Sequence, residues 1–248
     1  VENIIKTDLN DKTKDLPSIF IGQPSIGGIR PEHVMNVVGW FMSGKYRVAY
    51  HPVIGKIPHD AARNQLVADF LDDGTFDYML FLDANTVASY DTLEKLLATD
   101  KDMVSATAQT FKVTSNNNKH IVPTSFRYNE EKGGYSYNFG IGIEEVDITH
   151  MACTLVKREV LEDISPPWFS FEFANKEGTL IVGEEFTFCR RVKEAGYKIF
   201  NRYDILSHHF VTVDTNMVNS VVVNTHNKAV ASTVEAIKKD GGVDKLKW

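Results

Sequence analysis

The sequence predicts an α/β fold: a mostly parallel, twisted sheet flanked by helices, with a smaller antiparallel ribbon on one side. Three observations predict it. Up to about residue 110, short apolar runs alternate with amphipathic stretches roughly four times, the pattern of a parallel sheet with right-handed crossovers. The run Tyr78-Met-Leu-Phe-Leu82 is apolar at nearly every position, as a strand covered on both faces requires. After Phe111 the pattern changes to short ribbon-like segments separated by turn residues.

Residues 1–17 are polar and read as a loosely ordered segment. Residues 18–23 form the first buried strand, ended by the turn-rich stretch Gly22-Gln-Pro-Ser-Ile-Gly-Gly-Ile-Arg-Pro31. Pro31 suits a first helical position, and Val34, Val37, Val38 and Phe41 follow at helical spacing as the expected buried face. Residues 46–50 are the second strand. Pro58 and Asp60 open a second helix whose apolar face is Ala62, Leu66, Val67, Phe70 and Leu71, stopped by Asp72-Asp-Gly-Thr75. The third strand, 78–82, runs straight into Asp83-Ala84-Asn85; a helix over 91–98 and a strand over 103–106 follow.

Beyond a polar loop, residues 119–150 read as antiparallel ribbons turning at Gly133-Gly134. Residues 146–156 read as one strand and 157–164 as a short helix. Pro166-Pro167 breaks that helix before the aromatic cluster Trp168, Phe169, Phe171 and Phe173. A helix over 183–195 is closed by Gly196, a C-terminal cap signal, and a strand over 197–202 follows. A last helix spans 226–239, with Val230, Val234 and Ile237 on the side expected to dock on the core. A dimer contact is the lesser reading of that stripe. With no internal repeat and no linker, residues 18–248 read as one domain.

Composition narrows the function. Of 248 residues, 27 are Lys or Arg and 33 are Asp or Glu, a net charge of −6. That argues against a protein that coats nucleic acid through a broad basic face. The 2 cysteines, Cys153 and Cys189, form no CxxC pair and lie in apolar stretches. They read as buried thiols of a reducing compartment, with cytoplasmic localisation expected. No apolar run is long enough to span a membrane, so no integral membrane association is expected.

Three local features could carry chemistry. Asp83 sits beyond the end of a buried strand, where open α/β sheets bind ligands. A carboxylate there needs a cationic partner; a divalent metal with Asn85 as a second oxygen donor is one reading, and an ordinary turn or helix cap is the other. Glu184 and Glu185 occupy the first turn of the helix after Gly183. They either complement the helix dipole or supply a general base at a helix mouth. His208-His209 follows a strand-like segment. Neighbours in an extended chain point to opposite faces, so one of the two can face a site.

The order of these pieces resembles the GT-A fold nucleotide-sugar glycosyltransferases, especially the family 2 type and their small phage and viral relatives. The resemblance rests on Pro58-His-Asp-Ala-Ala-Arg-Asn64, Asp77-Tyr-Met-Leu-Phe-Leu-Asp-Ala-Asn85 and Met151-Ala-Cys-Thr-Leu-Val-Lys-Arg-Glu159. It continues through Gly183-Glu-Glu-Phe-Thr-Phe-Cys-Arg-Arg191 with Glu194-Ala-Gly196, and ends at Ser207-His-His-Phe210. It spans roughly residues 18–210.

The resemblance implies a GT-A fold, with residues 18–110 as a nucleotide-binding half, 111–210 as an acceptor half and 211–248 as a C-terminal helix and tail. It implies transfer of a hexose or pentose from a nucleoside-diphosphate sugar, UDP-sugars first, to an acceptor hydroxyl, by a single inverting displacement in the first reading; in a relation to retaining members Glu185 would instead position the acceptor. Asp83-Ala84-Asn85 falls at the family's metal motif, which holds Mn²⁺ or Mg²⁺ against the donor diphosphate. Glu185 falls at the catalytic base, beside an acidic neighbour matching Glu184. His208 falls at a third metal ligand, with His209 the fallback. Pro24, Ser25 and Arg63 fall where the nucleotide is gripped, and Trp168 lies in the stretch that lines the acceptor side.

The chain departs from the pattern twice. Asn85 replaces an acidic residue, which weakens a hard-cation site. Glu185 replaces the more usual Asp and lengthens the arm by one methylene. The acceptor, whether glycan, protein or modified nucleic acid, is not encoded in any motif. The competing readings are a sugar-1-phosphate nucleotidyltransferase and a non-catalytic nucleotide-sugar or glycan-binding domain.

Overall fold

The structure, a computed structural model, describes residues 4–7, 12–113 and 119–210. The chain begins with strand β1 (Ile5–Lys6), then β2 (Ser18–Ser25), helix α1 (Pro31–Met42), β3 (Arg47–Ile54), α2 (His59–Asp73) and β4 (Tyr78–Leu82). Next come β5 (Thr86–Val87), α3 (Thr92–Leu97), β6 (Met103–Thr107), β7 (Gln109–Val113), β8 (Lys119–Pro123), β9 (Phe126–Asn129) and β10 (Gly134–Tyr137). Strands β11 (Ile143–Val146) and β12 (Cys153–Lys157) precede α4 (Arg158–Glu162), β13 (Glu172–Phe173) and β14 (Ile181–Val182). Helix α5 (Glu184–Glu194), β15 (Ile199–Leu206) and β16 (His208–His209) close the described chain. The helix expected over 226–239 lies outside the described residues.

Eight strands form one sheet in the order β1-β3-β2-β4-β12-β6-β15-β11. Strands β3, β2, β4, β6 and β15 run one way, while β1, β12 and β11 run against them. The sheet is therefore mostly parallel in strand direction, and small antiparallel pairs such as β9–β10 accompany it. The arrangement is consistent with the GT-A type.

The apolar alternation of β4 explains the layering. Met79 and Phe81 point into a core with Leu66, Val67 and Phe70 of α2, Val160 and Leu161 of α4, and Phe188 and Val192 of α5. Leu80 and Leu82 point into a second core with Val37 and Trp40 of α1 and Leu93 and Leu96 of α3. Both cysteines are buried free thiols in these cores. Gly74, at φ 70°, ends α2, and Gly196, at φ 92°, follows α5; each sits in the left-handed region that favours glycine.

Contacts divide the chain into two units, one of residues 1–109 and 123–210, the other of 110–122 and 211–248. Of the second, the described part is essentially the β7–β8 pair. No helix among the described residues is long and apolar enough to cross a membrane.

Two sequence expectations need correction. The buried face of α1 is His33, Val37 and Trp40, while Val34 and Val38 are 41% and 40% exposed. The reason is hydrogen bonding to the segment that α1 covers. His33 Nδ1 donates to Thr86 O at 2.9 Å, Trp40 Nε1 to Tyr90 O at 2.9 Å, and Asn36 Nδ2 to Ala88 O. Otherwise unpaired carbonyls thus select the polar-tipped face over the aliphatic one.

The run read as one strand over 146–156 is two. β11 ends at Val146 on the sheet edge, and β12 starts at Cys153 in the sheet centre, between β4 and β6. The residues between them cross to the carboxyl ends of β4 and β6. There the backbone of 150–152 meets the cleft residues described next.

Candidate active site

A cleft of about 440 Å³ opens beyond the carboxyl ends of β2 and β4. Pro24 and Ser25 line it at the end of β2, and Ile26, Gly27 and Gly28 continue the wall. His59 and Arg63 enter from the first turns of α2, Asp83, Ala84 and Asn85 from the end of β4, Glu184 and Glu185 from the start of α5, and His209 from β16.

Arg63 is the hub. It is 3% exposed, which an arginine tolerates only when its charge is met. Its Nη2 lies 3.1 and 3.2 Å from the two oxygens of Asp83 and 3.2 Å from Glu185 Oε1, and its Nη1 bonds to Glu184 Oε1. Burial alone would lower the guanidinium pKa; Asp83, Glu185 and Glu184 outweigh it and raise it. With every carboxylate ionised, three negative charges face one positive.

Local folding explains how each carboxylate arrives. Asp83 continues β4 by one residue: its N–H donates to Ala152 O at 3.0 Å and its carbonyl accepts from Thr86 N–H at 2.9 Å. Its backbone is thereby fixed and its side chain left for the cleft. Gly183 caps α5 in an extended conformation, so Glu184 and Glu185 begin the helix at its positive end. Glu184 is 9% exposed.

Glu185 keeps 30% of its side chain accessible and accepts the Met151 N–H on Oε1 at 2.9 Å. Desolvation, the largest effect, pushes its pKa up to about 7; Arg63 opposes the shift and Asp83 adds to it. Burial therefore outweighs the lowering effect of the Arg63 charge and the Met151 N–H.

At the other lip, Asn85 and the end of the described chain hold each other. Phe210 N–H donates to Asn85 O at 2.8 Å, and Asn85 Nδ2 lies 3.2 Å from Phe210 O and 3.1 Å from His209 Nε2. β16 pairs with β5 so that His209 opposes Thr86 and His208 opposes Val87. That register sets His209, rather than His208, on the cleft; His208 lines only a neighbouring depression with Gln109, Leu206 and Ser207, which His209 also borders.

Among the expected site residues, Pro24, Ser25, Arg63, Asp83, Ala84, Asn85, Glu184 and Glu185 all line the one cleft. Trp168 does not: it is 8% exposed in the core, with its Nε1 donating to Leu161 O at 2.9 Å. Sequence reading missed His59 and the Gly27-Gly28 wall. The signals were present: His59 lies one helical turn before Arg63, and the glycines fill the loop between a buried strand and a Pro-initiated helix.

Among the described residues no group of three or more His, Cys, Asp or Glu side chains is arranged to hold a metal ion. The donors that could hold a divalent cation are mixed: the Asp83 carboxylate, the Asn85 amide and the His209 imidazole.

No protein family matches the chain, and no curated protein sequence is similar to it. Solved structures are. A197 from STIV matches with a TM-score of 0.55 at 18% identity, covering 79% of this chain and 87% of that one. GalNAc-T7, solved with UDP, GalNAc and Mn²⁺, matches with a TM-score of 0.48 at 11% identity, covering 80% of this chain and 44% of that one. At such identities the likeness is one of fold.

Proposed function

We propose that the chain is a glycosyltransferase that moves a sugar from a nucleoside-diphosphate sugar to an acceptor hydroxyl with inversion. The observation that carries this reading is that Asp83 and Glu185 face one open cleft, joined through the Arg63 guanidinium by contacts of 3.1–3.2 Å.

In this reading the nucleotide lies along Pro24, Ser25 and the Gly27-Gly28 wall. Arg63 presents positive charge where negative charge grows on the departing diphosphate, an interaction stronger in the transition state than in the ground state. Glu185 takes the proton of the acceptor hydroxyl as that oxygen attacks the anomeric carbon. Both contacts to Glu185 fall on Oε1, so Oε2 is the oxygen left for the proton. A pKa of about 7 suits a base at neutral pH, since the charged form is populated and still basic. Glu184, tied to Arg63, holds the guanidinium in place from the acceptor side.

A divalent cation, Mn²⁺ or Mg²⁺, fits this site by charge and by donor chemistry. Three carboxylates against one guanidinium would repel a diphosphate. Asp83, Asn85 and His209 supply one carboxylate, one amide oxygen and one imidazole, and the buried His209 Nδ1 has no hydrogen-bond partner among the described residues. When bound, such an ion would neutralise diphosphate charge. Asp83 oxygens shared with Arg63 make its grip weaker than that of a full acidic pair.

The test is binding and turnover of a panel of nucleoside-diphosphate sugars, in Mn²⁺ and in chelator, with the wild type and Glu185→Gln. Glu185→Gln is expected to bind donor within a few-fold of wild type and to lose release of nucleoside diphosphate by about 10²–10⁴-fold, the span of general-base catalysis. Binding without wild-type turnover would point to a glycan- or nucleotide-sugar-binding domain. No binding of any donor under either condition rejects the proposal.

A further inference from the structure

Between β11 and β12, the backbone of residues 150–152 touches both Asp83 and Glu185. Ala152 O accepts the Asp83 N–H at 3.0 Å, and Met151 N–H donates to Glu185 Oε1 at 2.9 Å. One tripeptide thus sets the separation between the end of β4 and the start of α5. Residue 149 is tied to the same helix: Thr149 N–H approaches Cys189 Sγ at 3.5 Å, and that thiol donates to Thr149 O at 3.4 Å.

The His150 ring holds this tripeptide. It is 5% exposed, and backbone groups meet it on both nitrogens. Three backbone groups face the ring: Ala152 N–H lies 3.0 Å from Nδ1, while Ala106 O at 2.9 Å and Ala108 N–H at 3.2 Å both face Nε2. Ala152 N–H can only donate, so Nδ1 is the acceptor and Nε2 carries the one hydrogen, which goes to the nearer Ala106 O and leaves the longer Ala108 approach unused. The ring therefore spans from the end of β6 to the residue that fixes Asp83. His150 O accepts from Thr154 Oγ1 at 2.5 Å, and Thr154 meets Ser105 at 2.6 Å, which anchors the turn to β6 and β12.

We propose that His150 is a positioning residue: as a neutral imidazole it clamps residues 150–152 and thereby fixes Glu185 relative to Asp83. The inference rests on the reading of Glu185 as base, but the clamp itself is a statement about geometry. A protonated ring would turn an Nδ1–H against the Ala152 N–H, breaking the clamp. Burial, the main cause, holds the His150 pKa down at about 4, in keeping with a ring that stays neutral.

The experiment pairs His150→Leu, which removes every polar contact of the ring, with His150→Asn, whose amide oxygen can still accept the Ala152 N–H. The first readout is the Glu185 carboxyl titration followed by carbon NMR. In His150→Leu, Met151 N–H drifts from Glu185 and the midpoint rises; in His150→Asn it stays near wild type. A folded His150→Leu with an unmoved midpoint overturns the proposal. The second is nucleoside diphosphate release from whichever donor the wild type turns over. Here kcat is expected to fall about 10–100-fold in His150→Leu with donor KM within a few-fold, and to recover largely in His150→Asn. A change in KM alone overturns the proposal.

Should His150→Leu fail to fold, nitrogen NMR of the wild-type ring decides. Protonation at Nε2 alone at neutral pH supports the clamp; an Nδ1–H tautomer or an imidazolium refutes it. Absence of any turnover in the wild type counts against the glycosyltransferase reading, while the titration and tautomer measurements still judge the clamp.

Discussion

Arg63 and Glu185 show what single residues contribute and what pH should do to them. Glu185 has a pKa raised from 4.5 to about 7, so its basic form is lost below neutrality. Donor turnover is expected to rise about tenfold per pH unit up to about 7 and then level off, because the base works only when ionised. A kcat/KM profile measures this, and a flat profile between pH 5 and 7 would remove Glu185 from the role. Stability carries the opposite sign. Between about 4.5 and 7 the native state holds a proton that the unfolded chain has lost, so this carboxyl makes stability fall as pH rises. His150, lowered from 6.5 to about 4, makes stability rise with pH between about 4 and 6.5, where the unfolded chain holds a proton that the native state lacks. Both residues at the acidic corners of the site, Asp83 and Glu185, were legible in the sequence as carboxylates at a strand end and a helix start. The link between them was not. Arg63 meets Glu184 across 121 positions of sequence, a contact no local pattern encodes. The choice between His208 and His209 was equally hidden, because it depends on the register of β16 against β5.

Among elements, local periodicity identified most helices and strands, and long-range pairing decided the rest. β4 matches its expected span, since five apolar residues between turn signals suit one buried strand. α2 was recognised by its aliphatic face; for α1, Val37 and Phe41 face the core as expected, but Val34 and Val38 are exposed where His33 and Trp40 are buried. Hydropathy ranks Val above His and Trp, whereas the backbone carbonyls of residues 86–90 reward a donor tip. The division of 146–156 into an edge strand and a central strand was illegible for a similar reason: both pieces are apolar, and only their partners distinguish them. Close packing of β2 against α2 leads to a test at this scale. A Cβ on Gly22 would stand 2.7 Å from Met79 Cε and 3.4 Å from Leu66 Cδ2. The Leu66 approach is an ordinary contact, and Met79 Cε is the far end of a flexible but fully buried side chain, so Gly22→Ala is expected to cost about 1 kcal/mol, the low end for overpacking. Urea unfolding of the two proteins measures it. Equal midpoints would mean that the Met79 side chain on β4 has room to move aside.

At the scale of the molecule, the sheet is not assembled in the order of the chain. The first three parallel strands, β3, β2 and β4, stop at a strand that arrives some 70 residues later: β12 pairs Cys153 with Leu82 through Lys157 with Tyr78 on one side, and Thr154 with Ser105 through Val156 with Met103 on the other. β4 and β6 never meet. The stretch 18–110, read from sequence as a nucleotide-binding half, therefore lacks the strand that joins its third and fourth long strands. Its α2 face would also lose Val160, Leu161, Phe188 and Val192 from the shared core. Alone it would leave the outer edge of β3, one edge of β4 and both edges of β6 unpaired, with an uncovered apolar face, a combination that favours association over folding. Produced as a separate peptide, residues 18–110 are expected to give a poorly dispersed amide spectrum and no cooperative thermal transition, and to bind no nucleoside-diphosphate sugar. A dispersed spectrum with a sharp transition would mean that the early strands close on themselves without β12. The cleft would then belong to the first half of the chain, with α5 an addition to it rather than one of its walls.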